Sequence, residues 1–311
     1  MAMIETINLT KRYGELIALE NLNLKIESGT CFGFIGPNGA GKTTTIKILA
    51  TLLRPTWGEA RIDGLSVGPV NARQVRSVIG YVPDYFGAYD DMVVDEYLQF
   101  FAASYGLHGP QRDQVIQDVL ELTDLSYKQD AEVNGLSRGM KQRLSVARVL
   151  LHDPKVLLLD EPASGLDPRA RIEMRELLKE LHKMGKTILI SSHILLELAD
   201  LVDTVGIIEQ GELLFTGTVD EIMEKAKVGL VLTVGVEQNQ EQAQTLIAGM
   251  NGVSSAEIQG RLIRVALDTT ETGAPEIASR LVSEGYRLTE LEEERVNLET
   301  AFMRLTKGLV Q

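Results

Sequence analysis

The segment from Gly36 to Thr43 constrains this chain of 311 residues more than any other, because it matches the phosphate-binding loop pattern Gly-x-x-x-x-Gly-Lys-Thr. An apolar run from Gly29 to Gly36 predicts a buried strand before it, and the run from Thr43 to Leu53 predicts a helix that stops near Pro55. Glycines in such a loop let backbone N–H groups surround phosphate oxygens, and the helix dipole favours the anion. The sequence therefore predicts a strand, loop and helix unit that binds a nucleotide through its phosphates.

Two side chains of this segment, which we call the phosphate loop, predict specific chemistry. Lys42 is expected to neutralise the β- and γ-phosphates, and the hydroxyl of Thr43 is expected to ligate Mg²⁺. The residues predicted to bind the nucleotide here are Gly36, Pro37, Asn38, Gly39, Ala40, Gly41, Lys42, Thr43 and Thr44. Mg²⁺ bound together with the nucleotide is therefore the predicted cofactor.

Two further apolar runs end in polar residues. Val156 to Leu159 predicts a buried strand that leads into Asp160 and Glu161, and Thr187 to Ser191 predicts another that ends shortly before His193. An adjacent carboxylate pair can direct one group toward Mg²⁺ and the other toward the water that attacks the γ-phosphate. We therefore expect Asp160 to hold the metal and Glu161 to act as the general base.

The rest of the chain predicts a helical insertion and a second domain. Residues from about 85 to 150 have helix-like apolar spacing and predict an inserted helical subdomain. From Val228 onward the pattern predicts strand, helix, strand, strand, helix and strand, with Gly260 in a hairpin, and then a helix from Asn297 to Lys307. That order indicates a ferredoxin-like domain. We expect an α/β core over residues 1–224 and a small α+β domain over residues 225–311.

The segment Leu136 to Arg143, which we call the signature segment, identifies a family. It reads Leu-Ser-Arg-Gly-Met-Lys-Gln-Arg and resembles the Leu-Ser-Gly-Gly-Gln signature of ABC ATPases, and the resemblance extends over about residues 3 to 220. It implies a P-loop NTPase fold of the ABC ATPase type that binds and hydrolyses ATP. It also implies that Ser137 and Gly139 reach the γ-phosphate of ATP bound by a second subunit.

Three more residues stand where the family has functional positions. Asp167 ends a segment, Ser164 to Asp167, that looks like the D-loop linking two active sites of a dimer. His193 stands at the switch histidine that contacts the γ-phosphate and orients water. Tyr13 falls where the family stacks an aromatic ring on adenine.

The sequence departs from the family pattern at two places. Arg138 and Met140 replace the usual Gly and Gln of the signature segment, and Asp84 stands where a glutamine normally senses Mg²⁺. Asp84 is shorter and charged, and an ordinary turn aspartate after Pro83 is the alternative interpretation. Both departures resemble a subgroup of bacterial drug, antibiotic and ion exporters whose permease is a separate chain. A helix like that predicted at the C-terminus closes many of these subunits.

The resemblance implies two partners, a second ATPase subunit in a homodimer or heterodimer and a separate integral-membrane permease. We expect the permease to bind near Tyr85, Phe86 and Tyr89, although packing within the helical subdomain is an equal alternative for these aromatics. No apolar run approaches the roughly 20 residues needed to span a bilayer, so we expect that the chain does not form a membrane pathway by itself. The resemblance implies a location at the cytoplasmic face of the cell membrane, held through the permease.

Charge and motif content disfavour three alternative functions. With 44 acidic and 31 basic residues, the chain has a net charge of -13, which makes nucleic acid an unexpected partner. An ABC ATPase that acts on ribosomes or DNA would usually carry two cassettes or a long coiled coil. A signalling GTPase would need Asn-Lys-x-Asp, whereas the nearest segment begins at Tyr127 and lacks the asparagine. A non-enzymatic module is disfavoured because the predicted catalytic residues are all present.

Overall fold

The computed structural model describes residues 2–85, 87, 91–194, 197–222, 231–267 and 272–293. The chain forms two compact units, the first reaching Thr218 and the second beginning at Val219. Phe86, Tyr89, the first residues of the strand predicted from Val228 and the helix predicted from Asn297 to Lys307 lie outside the described residues.

The first unit combines two sheets with helices. Its strands are β1 (Ala2–Tyr13), β2 (Leu16–Glu27), β3 (Cys31–Ile35), β4 (Trp57–Ile62), β5 (Leu65–Ser66), β6 (Ile79–Val82), β7 (Val156–Leu159), β8 (Thr187–Ser192), β9 (Thr204–Glu209) and β10 (Glu212–Gly217). Its helices include α1 (Lys42–Leu49), α2 (Ala72–Val78), α3 (Val94–Ser104), α4 (Gly109–Leu122), α5 (Arg138–Leu150) and α6 (Pro168–Lys183).

The larger sheet has the order β10-β9-β3-β8-β7-β6, and all neighbours are parallel except the edge strand β10. Every residue of β3, β7 and β8 is buried. Continuous burial is characteristic of parallel strands covered on both faces, and it explains the unbroken apolar runs of the sequence. The strands predicted at Val156–Leu159 and from Thr187 are both confirmed.

The smaller sheet is antiparallel, with the order β2-β1-β4-β5. In the second half of β2, buried apolar residues such as Leu22, Leu24 and Ile26 alternate with exposed polar residues. This period of two places one face of the sheet on the core and the other in water.

Helices α3, α4 and α5 lie between β6 and β7 in the chain. Buried residues on the three helices, among them Tyr97, Leu120 and Leu144, form their packed faces. Arg143 of α5 is also buried and forms ion pairs with Asp124, at 3.1 Å, and with Glu173 of α6, at 3.3 Å. The pairing satisfies the buried guanidinium and ties α5 to α6.

Helix α1 is shorter than the sequence predicted, which is a correction to the expected range of Thr43 to Leu53. Thr51 adopts a left-handed backbone with φ of 63°, and the amides of Leu52 and Leu53 both donate to the carbonyl of Lys47. The apolar spacing continues past Leu49, but a left-handed residue closes the helix there. The strand predicted from Gly29 to Gly36 is likewise confined to β3.

The second unit is a four-stranded antiparallel sheet with two helices. Its elements are β11 (Val231–Val236), α7 (Gln240–Ala248), β12 (Val253–Gln259), β13 (Leu262–Leu267), α8 (Ala274–Ser283) and β14 (Leu288–Glu293). The sheet order is β12-β13-β11-β14. Gly260, with φ of 64°, occupies the turn between β12 and β13, where a left-handed residue is favoured. The predicted order of strands and helices is found over the described residues.

Among the described residues, no helix has both the length and the apolar composition needed to cross a bilayer.

The pair Ile258 and Ile263, which face each other across β12 and β13, tests the core of the second unit. Ile263 is 0% exposed and Ile258 is 41% exposed. We expect Ile263→Ala to destabilise this unit by about 2–5 kcal/mol, because it leaves a cavity, while Ile258→Ala costs under about 1 kcal/mol. Differential scanning calorimetry of both variants measures the difference, and equal shifts in Tm would contradict the assignment of the core.

Candidate functional site

The ends of three neighbouring parallel strands define the site. The phosphate loop follows β3, Asp160 and Glu161 follow β7, and His193 follows β8. Since β3, β8 and β7 are adjacent and parallel, their carboxyl ends lie at the same edge of the sheet. Ligand sites of open α/β sheets occur at such edges.

The backbone of the phosphate loop requires glycine at specific points. A Cβ on Gly36 would lie 2.1 Å from the carbonyl oxygen of Ile208 on β9, and one on Gly41 would lie 2.7 Å from the carbonyl oxygen of Ala18. Gly41 also has φ of 108°, a conformation that L side chains rarely adopt. The loop therefore packs closely on its neighbours before α1 begins at Lys42.

Lys42 is the central cation of the site and is only 4% exposed. Its Nζ donates to the carbonyl oxygens of Gly36, at 2.7 Å, and Pro37, at 3.0 Å, and lies 3.3 Å from Glu161 Oε1. Burial lowers the pKa of Lys42, and the charge of Glu161 acts in the opposite direction. The structure thus brings the side chains of Lys42 and Glu161 together.

Asp160 is fully buried at the end of β7. Its Oδ1 accepts hydrogen bonds from the hydroxyls of Thr43, at 3.1 Å, and Ser191, at 2.8 Å. Its Oδ2 is buried and has no hydrogen-bond partner among the described residues. Burial raises the pKa of Asp160, partly offset by the two hydroxyls.

A divalent cation fits this arrangement. Mg²⁺ is bound in nucleotide sites through one or two protein oxygens, and a carboxylate oxygen without a partner next to the Thr43 hydroxyl is such a donor set. Asp160 and Thr43 are the residues that could hold it.

Glu161 and His193 meet in the same place. His193 Nδ1 lies 2.9 Å from Glu161 Oε2, and because an ionised carboxylate only accepts, the ring nitrogen donates. The backbone of Glu161 has φ of 46°, a left-handed conformation that costs roughly 1–2 kcal/mol in a residue other than glycine. This orientation directs its carboxylate toward Lys42 and His193.

Asp84 lies close enough to influence Asp160. It is exposed, just beyond β6, and its negative charge contributes to the raised pKa values of Asp160 and of Tyr81, the latter reaching about 12 mainly through burial. A cation near Asp160 would relieve the repulsion between these two carboxylates.

Ser137, Gly139 and Asp167 lie at the starts of α5 and α6. Ser137 caps α5 by accepting from the amide of Met140, and Asp167 caps α6 by accepting from the amide of Ala170 at 3.0 Å. A Cβ on Gly139 would lie 2.6 Å from that of Ala170, so the two helix starts pack directly on each other. Within the described residues, Ser137 and Asp167 are therefore joined to their own helices and not to the phosphate loop.

Arg138 of the signature segment reaches the segment from Ser164 to Asp167, which is predicted to be the D-loop. Its guanidinium lies where a Cβ on Gly165 would be, with Nη1 2.5 Å from that position. Gly165 has φ of 66°. Arg138 therefore packs over the backbone of the segment that ends at Asp167.

Tyr13, at the end of β1, is 46% exposed. The Nζ of Lys11 lies 5.0 Å from the centre of its ring. An exposed aromatic ring offers a free face for stacking, so its proposed contact with adenine stays a prediction.

Ser191 is the residue of this site to which sequence analysis assigned no role. It contacts the side chain of Asp160 and also accepts from the amide of Glu161 at 3.0 Å. The available signal was a serine near the end of a buried strand that leads to His193, because a buried hydroxyl requires a partner.

Comparisons with known proteins agree with this geometry. The sequence profile of the ABC transporter family matches residues 19–164. The chain is 40% identical over 224 residues to Nod factor export ATP-binding protein I of Burkholderia lata, covering 72% of this chain and 73% of that protein. It is 36% identical to bacitracin transport ATP-binding protein BcrA of Bacillus licheniformis, covering 98% of both chains.

Solved structures give the same result for the fold. The structure of cbiO1 from Clostridium perfringens, part of the ABC transporter complex cbiONQ, has a TM-score of 0.66 and 27% identity and covers 73% of this chain and 94% of its own. A dimeric post-hydrolysis structure of the cassette MJ0796, bound to ADP and Pi, has a TM-score of 0.63 and 28% identity. The match covers 70% of this chain and 98% of that chain.

The chain belongs to the ABC transporter family. Within it, the chain is an ATP-binding and ATP-hydrolysing subunit of the exporter type.

Gly36 and Gly68 provide a matched test of the phosphate loop. A Cβ on Gly36 would collide with Ile208, whereas one on Gly68 would have nothing within 4 Å. We expect Gly36→Ala to displace the loop and weaken nucleotide binding by about tenfold or more, since overpacking costs roughly 1–3 kcal/mol. Gly68→Ala should bind like the parent. Titration with a fluorescent ATP analogue measures both, and equal affinities for the two variants would count against the loop as the binding site.

Proposed function

We propose that ATP is hydrolysed at the edge of the sheet where β3, β7 and β8 end. Lys42 neutralises the β- and γ-phosphates, Glu161 accepts a proton from the attacking water, and His193 orients that water and the γ-phosphate. The observation that carries the proposal is the proximity of these three side chains. Glu161 Oε1 lies 3.3 Å from Lys42 Nζ, and Glu161 Oε2 lies 2.9 Å from His193 Nδ1.

Thr43 and Asp160 are the proposed ligands of Mg²⁺. The partnerless Oδ2 of Asp160 and the adjacent hydroxyl of Thr43 support this assignment. Bound there, Mg²⁺ would neutralise charge on the β- and γ-phosphate oxygens. Asp84 is proposed as a further, outer ligand, and its electrostatic effect on Asp160 supports its nearness.

We further propose that the complete site needs a second subunit. Ser137 and Gly139 would contact the γ-phosphate of ATP held by the partner, with Asp167 linking the two sites, and Tyr13 would stack on adenine. The N-terminus of α5 is the positive end of a helix dipole, which suits an anion brought from outside the chain. The dimeric state of MJ0796 supports this arrangement.

A separate permease is the proposed membrane partner, and the chain would act in export from the cytoplasmic face of the membrane. The relatives named for Nod factor export and bacitracin transport support export. A cavity of about 270 Å³ supports the proposal that a permease segment docks on this chain. It lies beside α3 and is lined by residues that include Leu52, Tyr81, Phe101, Tyr105 and His152. Leu52 and Tyr105 are exposed there, and Tyr85, just past β6, is exposed as well.

The proposed domain arrangement has two parts. Residues 1–224 would form the ABC ATPase domain with a helical subdomain at about residues 85–150, which the position of α3, α4 and α5 between β6 and β7 supports. Residues 225–311 would form a ferredoxin-like domain, supported by the order of elements and by the sheet order β12-β13-β11-β14.

Replacing the base tests the catalytic assignment. We expect Glu161→Gln to bind ATP but to hydrolyse it roughly 10²–10⁴-fold more slowly, since an amide accepts no proton from water. The variant should accumulate as an ATP-bound dimer in size-exclusion chromatography. Glu59→Gln, which alters an exposed carboxylate on β4, is the control. ATP turnover by Glu161→Gln at the parental rate would refute the assigned base.

Removing the buried ammonium group of Lys42 tests nucleotide binding separately from hydrolysis. We expect Lys42→Ala to weaken ATP binding about 10- to 100-fold, because hydrogen bonds from a charged group contribute roughly 1.5–3 kcal/mol. Lys47→Ala alters an exposed lysine of the same helix and should leave the affinity unchanged. A fluorescent-nucleotide titration distinguishes the two, and undiminished binding by Lys42→Ala would contradict the proposed role.

A further inference from the structure

Ser191 is a buried hydroxyl group in the strand that leads to His193. It lies in β8, whose residues are all buried, and its own exposed fraction is 0%. A hydroxyl left without a hydrogen bond at such a buried position would destabilise the fold, so Ser191 requires hydrogen-bond partners there.

The register of the sheet places Ser191 beside the two carboxylates. Leu159 of β7 pairs with Ile190 of β8, so the next residues along each strand, Asp160 and Ser191, lie side by side. Ser191 Oγ is 2.8 Å from Asp160 Oδ1 and 3.5 Å from the carbonyl oxygen of Leu159. The hydroxyl has one proton to give, and the shorter contact to a carboxylate is the stronger one.

The same oxygen accepts a hydrogen bond from the backbone of Glu161. The amide nitrogen of Glu161 lies 3.0 Å from Ser191 Oγ, so one hydroxyl is both donor to one carboxylate residue and acceptor from the next. Glu161 has the left-handed φ of 46°, which persists only where surrounding structure holds it. Ser191 supplies such a restraint directly at the strained residue.

We propose that Ser191 is a positioning residue for ATP hydrolysis, which orients the carboxylate of Asp160 and holds the backbone of Glu161 in the conformation that directs its side chain to Lys42 and His193. It touches no phosphate and transfers no proton itself. The inference rests on the proposed roles of Asp160 and Glu161. Ser191, on β8, would thus fix the geometry of Asp160 and Glu161, which follow β7.

The test compares Ser191→Ala with Thr187→Val in the full chain. Thr187 lies on the same strand, is 1% exposed, and its Oγ1 accepts from the amide of Gly29 at 2.9 Å, far from the carboxylate pair. Both changes therefore remove a buried hydroxyl that accepts a backbone N–H. Only Ser191→Ala removes a contact to Asp160 and Glu161.

We expect Ser191→Ala to lower kcat about 10- to 100-fold, the usual effect of removing a group that orients a catalytic ligand, with KM for ATP within about twofold of the parent. Ser191→Thr, which keeps the hydroxyl, should recover most of kcat. Thr187→Val should keep the parental kcat although its Tm falls. A Ser191→Ala enzyme with kcat within about twofold of the parent would overturn the inference, as would an equal loss of kcat in Thr187→Val.

A second measurement does not depend on turnover. In protein without nucleotide or metal, we expect the amide of Glu161 to exchange with deuterated water about tenfold faster or more in Ser191→Ala, because its acceptor is gone, and to be unchanged in Thr187→Val. Unaltered exchange in Ser191→Ala would overturn the proposed restraint. If Ser191→Ala does not fold, Ser191→Cys, with a weaker hydrogen-bonding group, should give an intermediate kcat, and a parental kcat would overturn the inference.

The variant Glu161→Gln, measured in the same assays, separates this inference from the proposed function. If Glu161→Gln hydrolyses ATP normally, the assigned base is wrong. If Glu161→Gln is inactive while Ser191→Ala behaves as the parent, only the role of Ser191 fails.

Discussion

The parallel pairing of β3, β8 and β7 is the constraint on which the rest of the site depends. Backbone hydrogen bonds between these buried strands set their register, with Ile35 opposite Ser192 and Leu159 opposite Ile190. The register decides which side chains follow at the edge of the sheet. A shift of one residue would exchange the faces of every side chain on a strand, and the Asp160 carboxylate would leave the phosphate loop.

At this edge of the sheet, the buried positive charge of Lys42 lies next to the negative charge of Glu161. Its ammonium group is surrounded by two loop carbonyls and the carboxylate of Glu161. A buried cation must be paired, so the loop and the strand carrying Glu161 stabilise each other through it. Lys42 and Glu161 are also two of the groups proposed to act on the γ-phosphate and its attacking water, so the residues of the proposed chemistry also hold the site together.

Much of this arrangement could be predicted from local sequence patterns. The phosphate loop and the apolar strand before Asp160 carry strong signals because each is a continuous segment with a fixed chemistry. The end of α1 was not predictable from spacing, because Leu52 and Leu53 continue the apolar pattern while Thr51 turns the chain. The role of Ser191 was hidden for another reason. Its partners are 30 and 31 residues away, so only the register of two strands brings them together.

The contact between α5 and α6 has a consequence for how sequences of this kind can vary. Because a Cβ on Gly139 would come within 2.6 Å of the Cβ of Ala170, the combined volume of these two side chains is fixed by the backbone. A larger residue at position 139 is tolerated only with glycine at position 170 or with a displaced helix. The two positions should therefore covary across related proteins. Gly165 is restricted in a different way, by its left-handed φ of 66°, because the Arg138 guanidinium beside it ends a flexible side chain that can move aside.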